Sequence, residues 1–196
     1  MEPLSIVKYP HPALRWESSP ILEIDDRVRD VVKQMFALMY EAKGIGLAAN
    51  QVGLPWRLFV INPSGDPTLT DEEFVFINPE ILRRKGSDED EEGCLSLPEL
   101  YGPVRRSTSL VIEAFDLEGQ PFRMDLEDFP ARVVQHEFDH IDGVLFIDRM
   151  SDTQRRDREA AIADFEAAFR KSQQAGEIAS DDELKQQLRE LEPREA

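Results

Sequence analysis

ARVVQHEFDHIDG, residues 131–143, decides how the rest of this chain can fold. Val133, Val134, Phe138 and Ile141 are spread around a helix rather than along one stripe, and a helix that is apolar on most sides is buried. Inside that run stand His136 and His140, four residues apart, with Glu137 directly after the first. Positions i and i+4 share one helix face. Two imidazoles placed in this way can grip one metal ion, and the neighbouring carboxylate can act as a base toward a water that the metal activates. Buried imidazoles and a buried carboxylate need partners, and metal ligation satisfies both rings at once. Pro130 suits the first turn and Gly143 lies just past the end. The expectation is a central, metal-binding helix with other elements packed around it.

Outward from this helix the chain reads as short strands. RLFVINP (57–63) and EFVFINP (73–79) are apolar runs, each closed by Asn-Pro and separated by the turn-rich SGDPTLTD. SLVIEAFD and PFRMDLED flank LEGQ, which predicts an antiparallel hairpin across Gly119. Toward the N-terminus, residues 25–44 place Val28, Val31, Val32, Met35, Phe36 and Met39 at helical spacing, with Asp25 or Asp26 as cap and Gly44 as the stop. GIGLAANQVG (44–53) follows as a loop. Toward the C-terminus, residues 151–174 read as one more helix with a Ser151–Gln154 capping box and Ile162, Phe165 and Phe169 facing inward. The pattern is α+β: short antiparallel β-sheets packed around a central metal-binding helix, with an N-terminal helix and a C-terminal helix. Residues 1–171 form the catalytic domain, and 172–196 form an acidic, polar tail. Ser180 and Glu183 could cap a short helix there, whose Leu184, Leu188 and Leu191 would need a partner surface.

Composition narrows the function classes. A chain of 196 residues that is 41% hydrophobic supports one domain with a real core. No apolar run approaches the roughly 18–20 residues of a membrane span, and MEPLSIVKYP has the form of neither a signal nor a transit peptide. The single cysteine, Cys94, excludes an internal disulfide framework, and a reducing cytoplasm is the expected home. A net charge of −17 argues against direct nucleic-acid binding, which needs basic surface.

A catalytic site of this kind usually has three protein ligands, and no histidine follows His140. Glu159 and Glu166 could serve, although Glu159 sits in a charged run. Cys94, in EEGCLSLPE (91–99), is the softer candidate, because thiolate is a strong ligand for zinc and ferrous iron. The residue types alone favour Cys94 and leave the carboxylates open.

GIGLAANQVG, EGCLSLPE and QHEFDHIDG, in this order and at these separations, resemble the three signature motifs of the peptide deformylases. The resemblance runs from about residue 4 to 170 and includes VKYPHPALR. It implies a hydrolase that removes the formyl group from the N-terminal formyl-methionine of newly made polypeptides and releases formate. It implies Cys94, His136 and His140 as metal ligands, Glu137 as the acid–base, and the Gln51 side-chain amide and Leu95 backbone N–H as oxyanion donors. An extended peptide would pair along Gly44–Gly46. Ile45, Phe129 and Val133 are expected to form the methionine pocket, with Gly46 and Gly93 beside the substrate. One divalent ion is expected: Fe2+ in the cell, with Zn2+, Ni2+ or Co2+ also compatible. The partner is an N-formyl-methionyl peptide or nascent chain, with no membrane involved. Ribosome association is compatible with this, but no residue encodes it. The chain departs from the family pattern at Asp128, where members often have glycine, and at Ile141, where they often have leucine. Two other readings compete: a metallopeptidase with a carboxylate third ligand, and a non-catalytic relative, which would need a broken motif.

Overall fold

The structure, a computed structural model, describes residues 3–193. Its core is a five-stranded antiparallel sheet in the order β1-β2-β3-β6-β7, formed by β1 (Gly46–Ala48), β2 (Leu58–Ile61), β3 (Phe74–Lys85), β6 (Ser109–Phe115) and β7 (Pro121–Glu127). A separate hairpin pairs β4 (Asp88–Cys94) with β5 (Leu97–Arg106). Strand side chains alternate between faces, and β2 shows what that does here. Leu58 and Val60 pack with Val28, Val31, Val32, Met35 and Met39 of α1 (Asp26–Glu41). Phe59 and Ile61 point the other way and pack with Val133, Val134 and Ile141 of α2 (Asp128–Ile141). One helix therefore covers each face at the β1–β2 end of the sheet, and α2 is the buried central helix that its composition predicts.

A third cluster joins the hairpin to the rest. Leu97, Leu100 and Val104 of β5 pack with Leu145, Phe146 and Ile147, at the short α3 (Phe146–Arg149), and with Tyr9 and Leu14 from the N-terminal segment. Here a 3-10 turn (Pro12–Arg15) starts at His11, whose Nδ1 accepts a hydrogen bond from the Ala13 N–H at 3.1 Å.

Several local expectations change. Asp25 caps α1 as its position suggests, accepting from the Val28 N–H at 2.9 Å. The left-handed residue that ends this helix is Lys43 (φ 56), not Gly44. Lys43 N–H bonds Tyr40 C=O and Gly44 N–H bonds Met39 C=O, which is the two-bond helix stop displaced by one residue. Residues 44–53 are not a plain loop; they contain β1 and a 3-10 turn (Ala49–Val52). The second Asn-Pro does not close its strand. β3 runs through Asn78 and Pro79, where Asn78 takes φ 51 and the register with β6 shifts between Ile77 and Glu80. An irregularity of this kind accommodates a proline in an interior strand.

Residues 151–174 form two helices, α4 (Asp152–Arg156) and α5 (Glu159–Gln174), with the Ser151–Gln154 capping box in place. Ile162 and Phe169 are buried, and Phe165 is partly so. α5 continues past residue 171 to Gln174, and α6 (Asp181–Leu191) follows with its Ser180–Glu183 capping box. Leu184 and Leu188 are buried, and α6 packs against the Pro12–Arg15 turn. The Trp16 indole N–H donates to Glu192 Oε1 at 3.0 Å, and that of Trp56 donates to the Leu191 carbonyl at 2.9 Å. The partner surface that α6 needs is therefore built by the N-terminal segment together with Trp56.

Candidate metal centre

α2 carries His136, Glu137 and His140 into the interior, where all three are at least nine-tenths buried. Its entry is set by Asp128, which takes φ 50 and donates its N–H to Thr108 C=O at 2.7 Å. A left-handed backbone is where glycine costs least and where aspartate is among the tolerated residues, which accounts for the departure at this position. Its exit is Gly143, φ 70.

Cys94 arrives from the other side, as the last residue of β4. Its Sγ lies 3.3 Å from His140 Nε2. One ligand atom each from Cys94, His136 and His140 lies within 4.8 Å of the others, the only such cluster of metal-type ligands among the described residues. Neither Glu159 nor Glu166 belongs to it; Glu166 accepts a hydrogen bond from the Tyr9 hydroxyl at 2.8 Å.

The charges around this cluster fit a cation. Burial opposes protonation of His136, yet hydrogen bonds to Cys94 and Glu92 push its pKa up to about 10. Those same groups favour any positive charge at that ring. His140 is held neutral: burial, His136 and Arg106 lower its pKa well below the usual value. A neutral imidazole is the ligating form. Burial raises Glu137 to about 7; charged His136 opposes the rise and Glu92 adds to it. Glu137 Oε2 is buried with no protein partner, so a carboxylate oxygen beside the cluster is left for an incoming donor. Two imidazoles, one thiolate and a free carboxylate edge suit a divalent ion with an open position.

The sequence reading overlooked what holds His136. Glu92, buried in β4, accepts from His136 Nδ1 at 3.0 Å. Arg106 Nε and Nη2 donate to the two Glu92 oxygens at 2.9 Å each, and Arg132 Nη1 donates to Oε1 at 2.8 Å. Burial alone would raise the Glu92 pKa, but the His136 and Arg106 hydrogen bonds hold it far below the carboxylate range. Arg106 also pairs with Asp139, which Arg149 grips through Nε at 3.0 Å and Nη2 at 2.6 Å. Asp139 thus faces Arg106 rather than the ligand cluster. The missed signal lies inside DEDEE: in a strand Asp88, Asp90 and Glu92 share a side, and only Glu92 is covered.

A cavity of about 620 Å³ opens on the cluster. Ile45, Gly46, Gln51, Gly93, Cys94, Leu95, Phe129, Val133, His136 and Glu137 all line it; His140 lies behind them. The glycines are explained by close neighbours. A Cβ on Gly46 would run into the Glu137 carboxylate, one on Gly44 would lie 2.7 Å from Leu95 Cδ1, and one on Gly93 would lie 2.6 Å from the Tyr101 ring. Gln51 sits in the Ala49–Val52 turn, with Oε1 accepting from Ala48 N–H at 2.8 Å and Nε2 lying 3.4 Å from Cys94 Sγ. Val133 is buried, whereas Phe129 is half exposed at the mouth.

Residues 3–156 match the family described as polypeptide deformylase. The chain belongs to the peptide deformylase family. A peptide deformylase of Rhodopirellula baltica is 46% identical over 190 residues, covering 97% of this chain and 94% of that protein. Among solved structures, a plant peptide deformylase aligns with a TM-score of 0.83 at 40% identity, over 92% of this chain and 96% of its own. The Plasmodium falciparum peptide deformylase aligns with a TM-score of 0.83 at 36% identity, over 86% and 98%. The deformylase family uses a divalent metal, and Cys94, His136 and His140 form the candidate site for it here.

Proposed function

We propose that this protein removes the formyl group from the N-terminal formyl-methionine of newly made polypeptides and releases formate. One observation carries the reading: in a chain of this family, a cysteine sulfur and two buried imidazoles converge beside a carboxylate with an unpartnered oxygen, at the end of a peptide-sized cavity. Cys94, His136 and His140 would hold one divalent metal. When bound, that ion supplies Lewis acidity toward water and the formyl oxygen.

The chain's own groups do the rest. Glu137, with a pKa near 7, takes a proton from the attacking water and returns it to the nitrogen as the C–N bond breaks, giving formate and a free amine. The Gln51 amide and Leu95 N–H donate to the oxygen on which negative charge develops. Gln51 suits this because its Oε1 is tied to the backbone, which turns Nε2 toward Cys94. The backbone at Gly44–Gly46 pairs with the extended peptide. Val133, Ile45 and Phe129 receive the methionine side chain, and Gly93 keeps the opposite wall low. The metal is iron(II) in the cell, with zinc, nickel or cobalt compatible with the same donors. Residues 1–171 form the catalytic unit. The protein acts in the cytoplasm on nascent chains; no helix among the described residues is long and apolar enough to cross a membrane.

Formate release from N-formyl-Met-Ala-Ser, with metal analysis after anaerobic purification, tests this. Release that tracks a near-stoichiometric metal supports it. Cleavage of the unformylated peptide instead would show a peptidase.

A further inference from the structure

We propose that Asn50 is a positioning residue for Gln51, through which the N-terminal segment holds that side chain in place. This rests on reading Gln51 as an oxyanion donor. The Gln51 side chain has one short tether, Oε1 to Ala48 N–H at 2.8 Å; its Nε2 contacts, to Cys94 Sγ and Ser96 Oγ, are both 3.4 Å. Two long contacts do not fix an amide, so its placement depends on the short turn that carries it.

Asn50 anchors that turn. It is fully buried, and its amide is spent on one stretch of chain. Oδ1 accepts from Ser18 Oγ at 2.9 Å, while Nδ2 donates to Trp16 C=O at 2.8 Å and Ala13 C=O at 3.1 Å. The Gln51 carbonyl is held by the same segment, accepting from Val7 N–H at 2.8 Å. Residues 7–18 therefore clasp the turn at two successive positions. A buried amide without partners is costly, so an apolar residue at position 50 would fill the core more cheaply unless the hydrogen bonds themselves serve a purpose. They fix the peptide that leads into Gln51, and oxyanion donors work only when held within about half an ångström of their place.

The test is a double-mutant cycle on formyl-Met-Ala-Ser, with metal content and thermal midpoint measured on each variant. Gln51→Ala should lower kcat by about 10²-fold or more. Asn50→Ala should lower kcat by about tenfold with KM little changed, because the donor is displaced rather than removed. Ser18→Ala, which deletes one of the three Asn50 bonds, should give a smaller loss of the same kind while keeping the fold. In the Gln51→Ala background neither substitution should cost anything more. If Asn50→Ala does not fold, Ser18→Ala and its double variant carry the same cycle. Losses that multiply with Gln51→Ala, or native kcat in both variants, would overturn the role of Asn50 while leaving Gln51 as donor. Native turnover in Gln51→Ala would overturn the donor reading itself, and the positioning role with it.

Discussion

The two halves of the site are built in opposite ways. α2 delivers two imidazoles and a carboxylate from within one buried helix, where 3.6-residue periodicity fixes their relative positions. The β4–β5 hairpin delivers one sulfur, from a two-stranded sheet separate from the main one. Its exposed side is acidic, and its one covered carboxylate, Glu92, reaches across to His136. The helix half is rigid because it is buried. The hairpin half is rigid because Glu92, Arg106, Arg132 and Asp139 lock it to the helix. Both halves are needed, and only the helix half also carries the acid–base group.

The sharpest test of that shared need removes a ligand from each half. Cys94→Ala and His136→Ala should both lose most bound metal and, with it, turnover. Full metal occupancy in the Cys94 variant alone would reduce the hairpin to a bystander. Next in size, Glu137→Gln should keep its metal and lose on the order of 10²–10⁴ in rate, because the isosteric amide cannot take a proton. Near-native turnover with metal retained would mean that the helix half supplies ligands but no base.

Glu92→Gln probes the lock between the halves. Partners of a ligating histidine typically matter by about 10–100-fold in metal affinity or activity, and a loss in that range is expected in metal titrations. Unchanged affinity would show that burial alone orients His136. The smallest effect is expected from the one imidazole outside both halves. Burial lowers the His11 pKa to about 4, with Asp181 opposing. Between pH 6.5 and 4 the unfolded chain binds the proton and the folded one does not, so stability should fall as pH drops through that window. His11→Gln should flatten this part of a thermal-midpoint profile. A profile unchanged by the substitution would assign the acid sensitivity to other groups.

What the sequence disclosed divides along the same line. α2, its histidine spacing, its apolar faces and its glycine stop are periodic, local signals, and they appear in the structure as read. β2, the start of β3 and the Gly119 hairpin were equally legible, whereas β1 reads as loop and β3 as ending at its Asn-Pro. The β4–β5 hairpin was not legible, because DEDEEG lacks apolar alternation and its buried member is charged. Glu92 becomes a core residue only when two arginines distant in sequence arrive beside it. Lys43 and Asn78 show the other blind spot: left-handed positions taken by residues other than glycine, where the neighbouring structure decides. The cluster of Cys94 with the histidines was suggested by residue type and made specific by the resemblance. Spacing alone left the carboxylates in play.

The docking of α6 has a consequence in time as well as space. Trp16 and Glu192, joined by a hydrogen bond, are 176 residues apart, so α6 leaves the ribosome long after the turn it covers. Until then the segment that clasps Asn50 lacks Leu184 and Leu188 as its outer cover. The chain also carries a gauge of this closure. Its two tryptophans are the two whose indole N–H groups meet the end of α6. Tryptophan fluorescence of chains that end before and after residues 181–192 should therefore differ, so the docking of α6 can be read from the protein's own light.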